Sequence, residues 1–236
     1  MKPAVSKTIG ICIPTIEGGV VCHQEIGREA ARREIPYPQI VTHTPLFEEI
    51  GRSVTNDDFQ ALAAVLSDSI NCTARAGADF AIIPSNTVHV VFDDVVRRSA
   101  IPVLSILDVA GEHCARHGYG RVGILGTTPT AQRRLYDAPL ARQGLATLYP
   151  PQADQEAMMQ IIYHELIRGI FSDESKRHLE GITQRLAADC DAVVLGCTEL
   201  PLVLTEEACR TRLVDTTRIL AHAALDEALK AGRTQA

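Results

Sequence analysis

The feature that most constrains the fold of this chain is a repeat of two strand-and-loop segments. The segment 79–86 (DFAIIPSN) aligns with 191–198 (DAVVLGCT), 112 positions later, and the segment 9–12 (IGIC) aligns with 122–125 (VGIL), 113 positions later. Two segments that recur at nearly the same spacing, close to half the chain length, indicate a duplicated structural unit. The repeat therefore predicts two similar lobes related by a pseudo-two-fold axis.

Between the repeated segments, short apolar runs alternate with helix-length amphipathic stretches. Four elements can be placed directly: a strand over 8–13, a helix ending at about Arg33, a helix over 57–76 with Thr55 and Asn56 as caps and Gly77 at its end, and a C-terminal helix over 217–230. Such alternation is typical of an α/β protein with parallel sheets. The predicted fold is therefore α/β, with a parallel sheet in each lobe and the active site in the cleft between the lobes.

The first lobe is expected to be discontinuous in sequence. Residues 1–108 and 206–236 are predicted to form the first lobe and residues 109–205 the second, because the C-terminal helix is expected to return to the first lobe. Ligands of parallel α/β sheets bind beyond the carboxyl ends of the strands. The repeated loops at Ser85 and Cys197 should therefore face one cleft.

Charge and composition narrow the class of partner. A formal charge of -6 would not attract nucleic acid or an anionic membrane surface. The sequence has no apolar run of the roughly 18 residues that a membrane span needs, and its N-terminus does not resemble a secretory signal. Seven cysteines form an odd set without a C-x-x-C pair, which favours reduced thiols. We therefore predict a cytoplasmic protein with a small-molecule substrate.

The sequence also predicts that no cofactor or metal is bound. A pyridoxal phosphate enzyme needs a lysine for its Schiff base, and the four lysines lie near the termini or on a polar helix. Neither a glycine-rich dinucleotide fingerprint nor a phosphate-binding loop is present, and no His or Cys spacing indicates a metal site.

Cys197 is the strongest candidate for chemistry. It follows an apolar strand and Gly196 and precedes the turn 198–201. A thiol at the start of a helical turn faces unpaired backbone N–H groups and the positive end of the helix dipole, which lowers its pKa and favours the thiolate. We therefore predict a reactive Cys197; the alternative is an inert buried cysteine.

The loops that follow the repeated strands supply candidate ligands for a substrate. Ser85 occupies the position of Cys197 in the first copy of the repeat. Side chains and backbone N–H groups in these loops could cradle a substrate carboxylate. Five polar residues are predicted to bind the substrate in this way: Asn86, Thr87, Thr127, Thr128 and Thr198. The alternative is that Asn and Thr at helix starts act only as caps.

The segments 84–89 (PSNTVH) and 196–201 (GCTELP) resemble the paired signatures of the aspartate/glutamate racemase family. The resemblance extends over nearly the whole chain and includes the segments 123–127, 161–166 and 215–218. It implies racemisation of an amino acid without pyridoxal phosphate, in which two cysteines, one per lobe, flank the α-carbon. One thiolate removes the α-proton and the opposing thiol returns a proton to the other face. The resemblance also implies a homodimer.

Two parts of the sequence depart from the family pattern. Ser85 stands at the position of the first-lobe cysteine, and a hydroxyl is a far weaker base than a thiol. The opening loop 13–17 replaces a glycine-rich loop, although Glu17 lies near the place of a family glutamate. The resemblance implies Cys197 and Ser85 as the catalytic pair and Glu17 as a substrate ligand. The alternatives are a single-cysteine decarboxylase or cis-trans isomerase of a small carboxylic acid or dicarboxylate, and a relative that binds a ligand without turnover.

The roles of a few further residues stay open at this level. His89 is a candidate acid/base or ligand of the substrate ammonium group, or it hydrogen-bonds only to backbone. Glu17 could likewise only complement a helix dipole. Four other residues match family positions but are not predicted to be catalytic: His164, Glu165, Asp215 and Thr217.

Overall fold

Eight short strands form two four-stranded parallel sheets with the same strand order in the computed structural model, which describes residues 7–230. The first sheet has the order β2-β1-β3-β4 and contains β1 (Ile9–Cys12), β2 (Ile40–His43), β3 (Phe80–Ile82) and β4 (Val103–Leu104). The second has the order β6-β5-β7-β8 and contains β5 (Arg121–Gly126), β6 (Ala146–Leu148), β7 (Ala192–Gly196) and β8 (Leu213–Asp215). The predicted parallel α/β fold is confirmed, and the aligned segments are corresponding strands: β1 with β5, and β3 with β7.

The strand register fixes where the candidate loops begin. In the second sheet β5 and β7 pair in parallel from Val122 opposite Ala192 to Gly126 opposite Gly196. Every residue of β7 is buried, as expected for a parallel strand covered on both faces. Ser85 and Cys197 therefore follow the carboxyl ends of central strands, where α/β sheets present their ligand-binding loops.

The described residues 7–230 also form eleven α-helices. They are α1 (Ile16–Arg32), α2 (Phe47–Thr55), α3 (Phe59–Arg75), α4 (Phe92–Arg98), α5 (Ile106–Arg116), α6 (Thr128–Gln132), α7 (Asp137–Ala141), α8 (Gln152–His164), α9 (Asp173–Ala187), α10 (Glu206–Cys209) and α11 (Thr216–Ala228). Three short 3-10 helices accompany them: Thr87–Val91, Leu166–Arg168 and Leu200–Leu202. None of the helices in this described range has the length and apolar character needed to cross a membrane.

The helix predicted over 57–76 has a different start. Its N-cap is Asp58, whose side chain accepts a hydrogen bond from the backbone N–H of Ala61 at 3.0 Å. Thr55 and Asn56 are not its caps, because Thr55 is the last residue of α2 and Asn56 is the C-cap of that helix. The chain passes from the C-cap of α2 at Asn56 to the N-cap of α3 at Asp58 with a single residue between them.

The chain divides into two units whose boundaries differ from the predicted ones. The first unit combines the chain up to Ile106 with the chain from Thr217 onward, and the second is Leu107–Thr216. Residues 206–216, expected in the first lobe, belong to the second unit because β8 pairs with β7. Helix α11 belongs to the first unit, where the ammonium group of Lys7 donates to Glu227 at 2.6 Å.

All seven cysteines are free thiols. Four buried cysteines act as small core residues: Cys12, Cys22, Cys114 and Cys209. Burial raises the pKa of both Cys12 and Cys114 to about 12, so these two thiols stay protonated at neutral pH. They contribute packing rather than thiolate chemistry.

Candidate active site

Cys197 lies in a tight loop that starts at the carboxyl end of β7. The residue is only 6% exposed, and its Sγ donates a hydrogen bond to Oε2 of Glu199 at 2.9 Å. The hydroxyl of Thr198 donates to the same oxygen at 2.8 Å, and Glu199 is itself buried. The loop therefore brings a thiol, a hydroxyl and a buried carboxylate together within three consecutive residues.

The pKa of Cys197 is raised well above the ordinary value for a thiol, so the prediction that the turn lowers it is wrong. Burial is the largest cause, and the adjacent negative charge of Glu199 acts in the same direction. The backbone N–H groups of Glu199 and Leu200 do lower the pKa, as the turn predicts, but their effect is smaller. At neutral pH Cys197 is therefore a neutral thiol whose proton lies toward Glu199.

Packing behind β7 fixes the position of Cys197. A Cβ atom on Gly196 would lie 3.0 Å from a carbonyl oxygen of β5 and 3.3 Å from the ring of Tyr136, so a larger residue here would crowd both neighbours. The hydroxyl of Thr216 donates to the carbonyl of Leu195 at 2.9 Å. Tyr136 is completely buried and hydrogen-bonds to Thr216. These contacts hold the two residues that precede the thiol.

Ser85 follows β3 as Cys197 follows β7, but its surroundings differ. Its carbonyl oxygen accepts a hydrogen bond from Nδ1 of His89 at 2.7 Å. The other ring nitrogen of His89, Nε2, accepts a hydrogen bond from the backbone N–H of Ile106 at 3.2 Å. Because an amide can only donate and a carbonyl can only accept, the His89 proton resides on Nδ1. His89 thus has the backbone-bonding role that was the alternative to acid/base catalysis.

The two residues after Ser85 begin a 3-10 helix. Asn86 is buried and occupies the N-cap position, yet its side chain makes no capping hydrogen bond. Thr87, half-buried, is the first residue of the helix. The capping role that was the alternative for Asn86 is therefore absent at this helix start.

The loop after β5 positions Thr127 and Thr128 differently. Thr127 is the N-cap of α6, where its hydroxyl accepts from the backbone N–H of Thr130 at 3.4 Å and lies 3.0 Å from the Thr130 hydroxyl. Thr128 is half-buried and starts the helix. Thr127 thus has a capping role, which leaves Thr128 as the less constrained candidate.

Glu17 is exposed in the first turn of α1. A carboxylate at this place complements the helix dipole. Glu165 accepts hydrogen bonds from the hydroxyls of Ser172 and Ser175 at 2.9 and 2.6 Å, and so anchors the start of α9. Glu165 is thus explained by structure alone, whereas the position of Glu17 is compatible with both of its predicted roles.

Glu199 is the candidate residue that sequence reasoning misses. A signal was available, because a carboxylate two residues after a candidate thiol, inside a turn, can fold back onto the sulfur. The sequence cannot show that it does so, since the same residue could point to solvent. The hydrogen bond from Sγ makes Glu199 a partner of the thiol.

Within residues 7–230, one group of three side chains is close enough to share a metal ion: Glu25, Glu29 and His222. Arg32 donates hydrogen bonds to both glutamates. His222 lies 3.1 Å from Glu25. Arg33 also donates to Glu29, at 2.6 Å, so two guanidinium groups offset the two carboxylates, and the group ties α11 to α1 as an ion-pair network.

Comparison with known proteins gives a consistent family assignment. The Asp/Glu/hydantoin racemase family model matches residues 9–224. The broad specificity amino-acid racemase RacX of Bacillus subtilis is 23% identical over 198 residues, which is 81% of this chain and 82% of RacX. A crystal structure from Yersinia pestis, assigned to the Asp/Glu racemases, is 28% identical with a TM-score of 0.87 and covers 95% of this chain and 100% of its own. An aspartate racemase homologue from Pyrococcus horikoshii is 26% identical with a TM-score of 0.79, covering 94% and 99%.

Proposed function

Because the chain belongs to the Asp/Glu/hydantoin racemase family, we propose that it is a cofactor-independent amino-acid racemase or epimerase in which Cys197 transfers the α-proton. The observation that carries this proposal is the 2.9 Å hydrogen bond from Cys197 Sγ to Glu199 Oε2 at the carboxyl end of β7. A nucleophile or base of this kind is activated by an adjacent group that takes its proton. The substrate class we propose is a small amino acid, acidic or otherwise.

In the first step Glu199 accepts the thiol proton and the Cys197 thiolate removes the α-proton of the substrate. The electron pair of the Cα–H bond moves into the substrate carboxylate, which becomes an enediolate. Burial raises the pKa of the thiol, so the thiolate, once formed, is a stronger base than an exposed one. When the thiol returns the proton to carbon, Glu199 gives its own proton back to sulfur.

We propose that donors in the loops after the central strands stabilise the enediolate. Four residues carry side chains suited to binding a carboxylate: Asn86, Thr87, Thr128 and Thr198. Thr127 supports Thr128 as the cap of α6. The exposed carboxylate of Glu17 suits the substrate ammonium group. We propose Ser85 at the second catalytic position, where its hydroxyl is a weak acid and a weak base. Proton transfer by Cys197 should therefore outpace proton transfer by Ser85.

A second candidate is a decarboxylase or cis-trans isomerase of a small carboxylic acid. The raised pKa of Cys197 favours it, because a neutral thiol can protonate a carbanion formed by loss of CO₂, and a single cysteine suffices for that step. A third candidate is a relative that binds its ligand without turnover.

We further propose that the protein works in the cytoplasm as a homodimer. Its free thiols fit a reducing compartment. The dimer is an implication of the family resemblance.

An NMR screen of amino acids in D₂O with the purified protein tests the proposal. We expect the α-proton signal of at least one amino acid to disappear through exchange with solvent. This exchange should persist after dialysis against chelator and should be abolished in Cys197→Ser. Release of CO₂ from a malonate without α-proton exchange would favour the second candidate. A ligand-induced shift of the melting temperature without any product would favour the binding protein.

A further inference from the structure

We propose that His89 is a positioning residue, which holds the loop 85–87 in its substrate-binding shape through a fixed, neutral tautomer. The inference rests on the proposed function, because the shape of this loop affects turnover only if the loop binds the substrate. His89 itself exchanges no proton with the substrate in this arrangement.

The His89 ring joins two backbone segments of the first unit. Nδ1 donates to the carbonyl of Ser85, which follows β3, and Nε2 accepts from the N–H of Ile106, the first residue of α5. An N–H group in the first turn of a helix has no partner within that helix, so Nε2 also satisfies a buried donor. One imidazole therefore ties the end of a central strand to the start of a helix.

Packing keeps the ring in the orientation that these two bonds need. His89 is 5% exposed and stacks on Phe92, with ring centroids 5.1 Å apart and an angle of 10° between the ring planes. The backbone N–H of His89 also donates to the carbonyl of Asn86 at 3.0 Å. The residue thus engages the carbonyls of both Ser85 and Asn86.

The tautomer follows from the identity of the two partners. A proton on Nε2 would face the N–H of Ile106 and break that bond, and a positive charge beside the start of a helix is unfavourable. A lone pair on Nδ1 would face the Ser85 carbonyl. Only the neutral form with the proton on Nδ1 satisfies both contacts.

A rigid peptide unit transmits this constraint to the substrate side of the loop. In a trans peptide the C=O of one residue and the N–H of the next point in opposite directions, and no cis peptide occurs within residues 7–230. By holding the carbonyl of Ser85, His89 therefore aims the N–H of Asn86 the opposite way. A peptide unit that is fixed in this way keeps the loop in one shape, so that binding a developing enediolate needs no reorganisation of the loop during the reaction.

Two variants of His89 and one control test the positioning role. His89→Leu removes both bonds and should raise KM about ten-fold or more, with a smaller change in kcat, because a loosened loop binds substrate poorly. His89→Asn restores an N–H donor near the place of Nδ1 and should recover most of the lost kcat/KM. The control is His117→Leu, because Nδ1 of His117 makes the same kind of bond to a backbone carbonyl four residues earlier, that of His113, at 2.8 Å. His117→Leu should leave both kinetic constants unchanged.

Nitrogen NMR of the wild-type imidazole gives a readout that does not depend on turnover. With ¹⁵N-labelled histidine and His89→Asn used to assign the signal, we expect a single neutral form with the proton on Nδ1 at pH 7. A proton on Nε2, or an imidazolium, would overturn the inference. The inference would also be wrong if the wild-type protein catalyses exchange and His89→Leu has the same kinetic constants. That outcome would leave the proposed function intact. If the wild-type protein shows no turnover, the proposed function fails, and the tautomer alone decides the structural claim.

Discussion

The two units share a strand order but differ in the chemistry of the loop that follows the third strand. In the first, Ser85 is followed by a histidine whose two ring nitrogens both bond to backbone. In the second, Cys197 is followed by a glutamate whose carboxylate accepts the thiol proton in a hydrogen bond. The duplicated fold supplies two corresponding loops, and under the proposed function a few side chains decide which of them transfers the proton.

This difference means that internal symmetry of the backbone does not imply symmetry of the reaction. A loop with a thiol and an adjacent carboxylate can cycle a proton between sulfur, oxygen and carbon. A loop with a hydroxyl, and with a histidine whose two ring nitrogens are already hydrogen-bonded to backbone, can orient a substrate but is poorly suited to remove its α-proton.

The largest effect is expected when the thiol is removed. Cys197→Ser should reduce kcat for α-proton exchange by roughly 10²- to 10⁴-fold, the contribution usual for a general acid or base. Ser85→Ala should reduce it much less. Initial rates of exchange measured by NMR, with thermal unfolding as a check of the fold, compare the two variants. Equal losses in both would mean that the two loops contribute alike.

Glu199→Gln tests what the carboxylate does to the thiol. The change removes a charge that raises the pKa of Cys197, and the pKa of the thiol should therefore fall. Mass spectrometry of Cys197 alkylation as a function of pH measures this pKa. Activity should nevertheless fall, by roughly 10- to 100-fold, because the amide cannot accept the thiol proton.

The matched control is Glu165→Gln. Glu165 also accepts two side-chain hydrogen bonds, but it lies far from any cysteine in the sequence. We expect near wild-type turnover for this variant. A rise in activity of Glu199→Gln, in step with the lower thiol pKa, would show that the carboxylate hinders Cys197 instead of activating it.

Gly196→Ala tests the packing that supports the Cys197 loop. The new methyl group would meet a β5 carbonyl at 3.0 Å, so the strand end must shift, with a loss of about 1–3 kcal/mol in unfolding free energy and a lower kcat/KM. Gly51→Ala in α2 is the control, because no atom lies within 4 Å of its Cβ position and the change should stabilise the helix by about 0.5–1 kcal/mol. Urea unfolding and exchange kinetics of both variants give the comparison. Unchanged kinetics in Gly196→Ala would contradict the supporting role.

The smallest effect concerns the network that joins α11 to α1 in the first unit. Burial alone would raise the pKa of Glu25, but hydrogen bonds from His222 and Arg32 outweigh burial and lower it. A carboxylate whose folded pKa is lowered stabilises the protein above its unfolded pKa, about 4.3, and the benefit is lost as the pH falls through the folded value. Glu25→Gln should therefore lower the unfolding free energy at pH 7 by on the order of 1 kcal/mol, since Arg32 is half-exposed. In strong acid the variant and the wild type should be equally stable, and a difference that persists there would exclude this cause.

The repeat and the parallel α/β plan could be predicted from sequence because both depend on local patterns of apolar residues. The boundary near residue 206 could not, because pairing of β8 with β7 is a contact between distant segments that a three-residue strand barely signals. The same reason explains the N-cap of α3. Asp58, Thr55 and Asn56 are all suitable capping residues, and only the path of the chain selects one.

The candidate thiol was equally visible in the sequence, since Cys197 ends an apolar strand next to a glycine. Its protonation state was not, because it depends on how deeply the thiol is buried and on which way Glu199 points. The role of His89 was similarly undetermined, because the second of its partners, Ile106, is 17 residues away. Local sequence places chemical groups in a loop, and tertiary structure sets their charge.

The most direct test of a one-sided site is the ratio of α-proton exchange to inversion, measured for each enantiomer of the best substrate in D₂O. Exchange is followed by loss of the α-proton signal, and inversion by chiral chromatography of the same samples. We expect one enantiomer, whose α-proton faces Cys197, to exchange with solvent faster than it inverts, and the other to exchange no faster than it inverts. Two enantiomers with the same ratio of exchange to inversion would contradict it, because that outcome requires two equally competent acid/base groups.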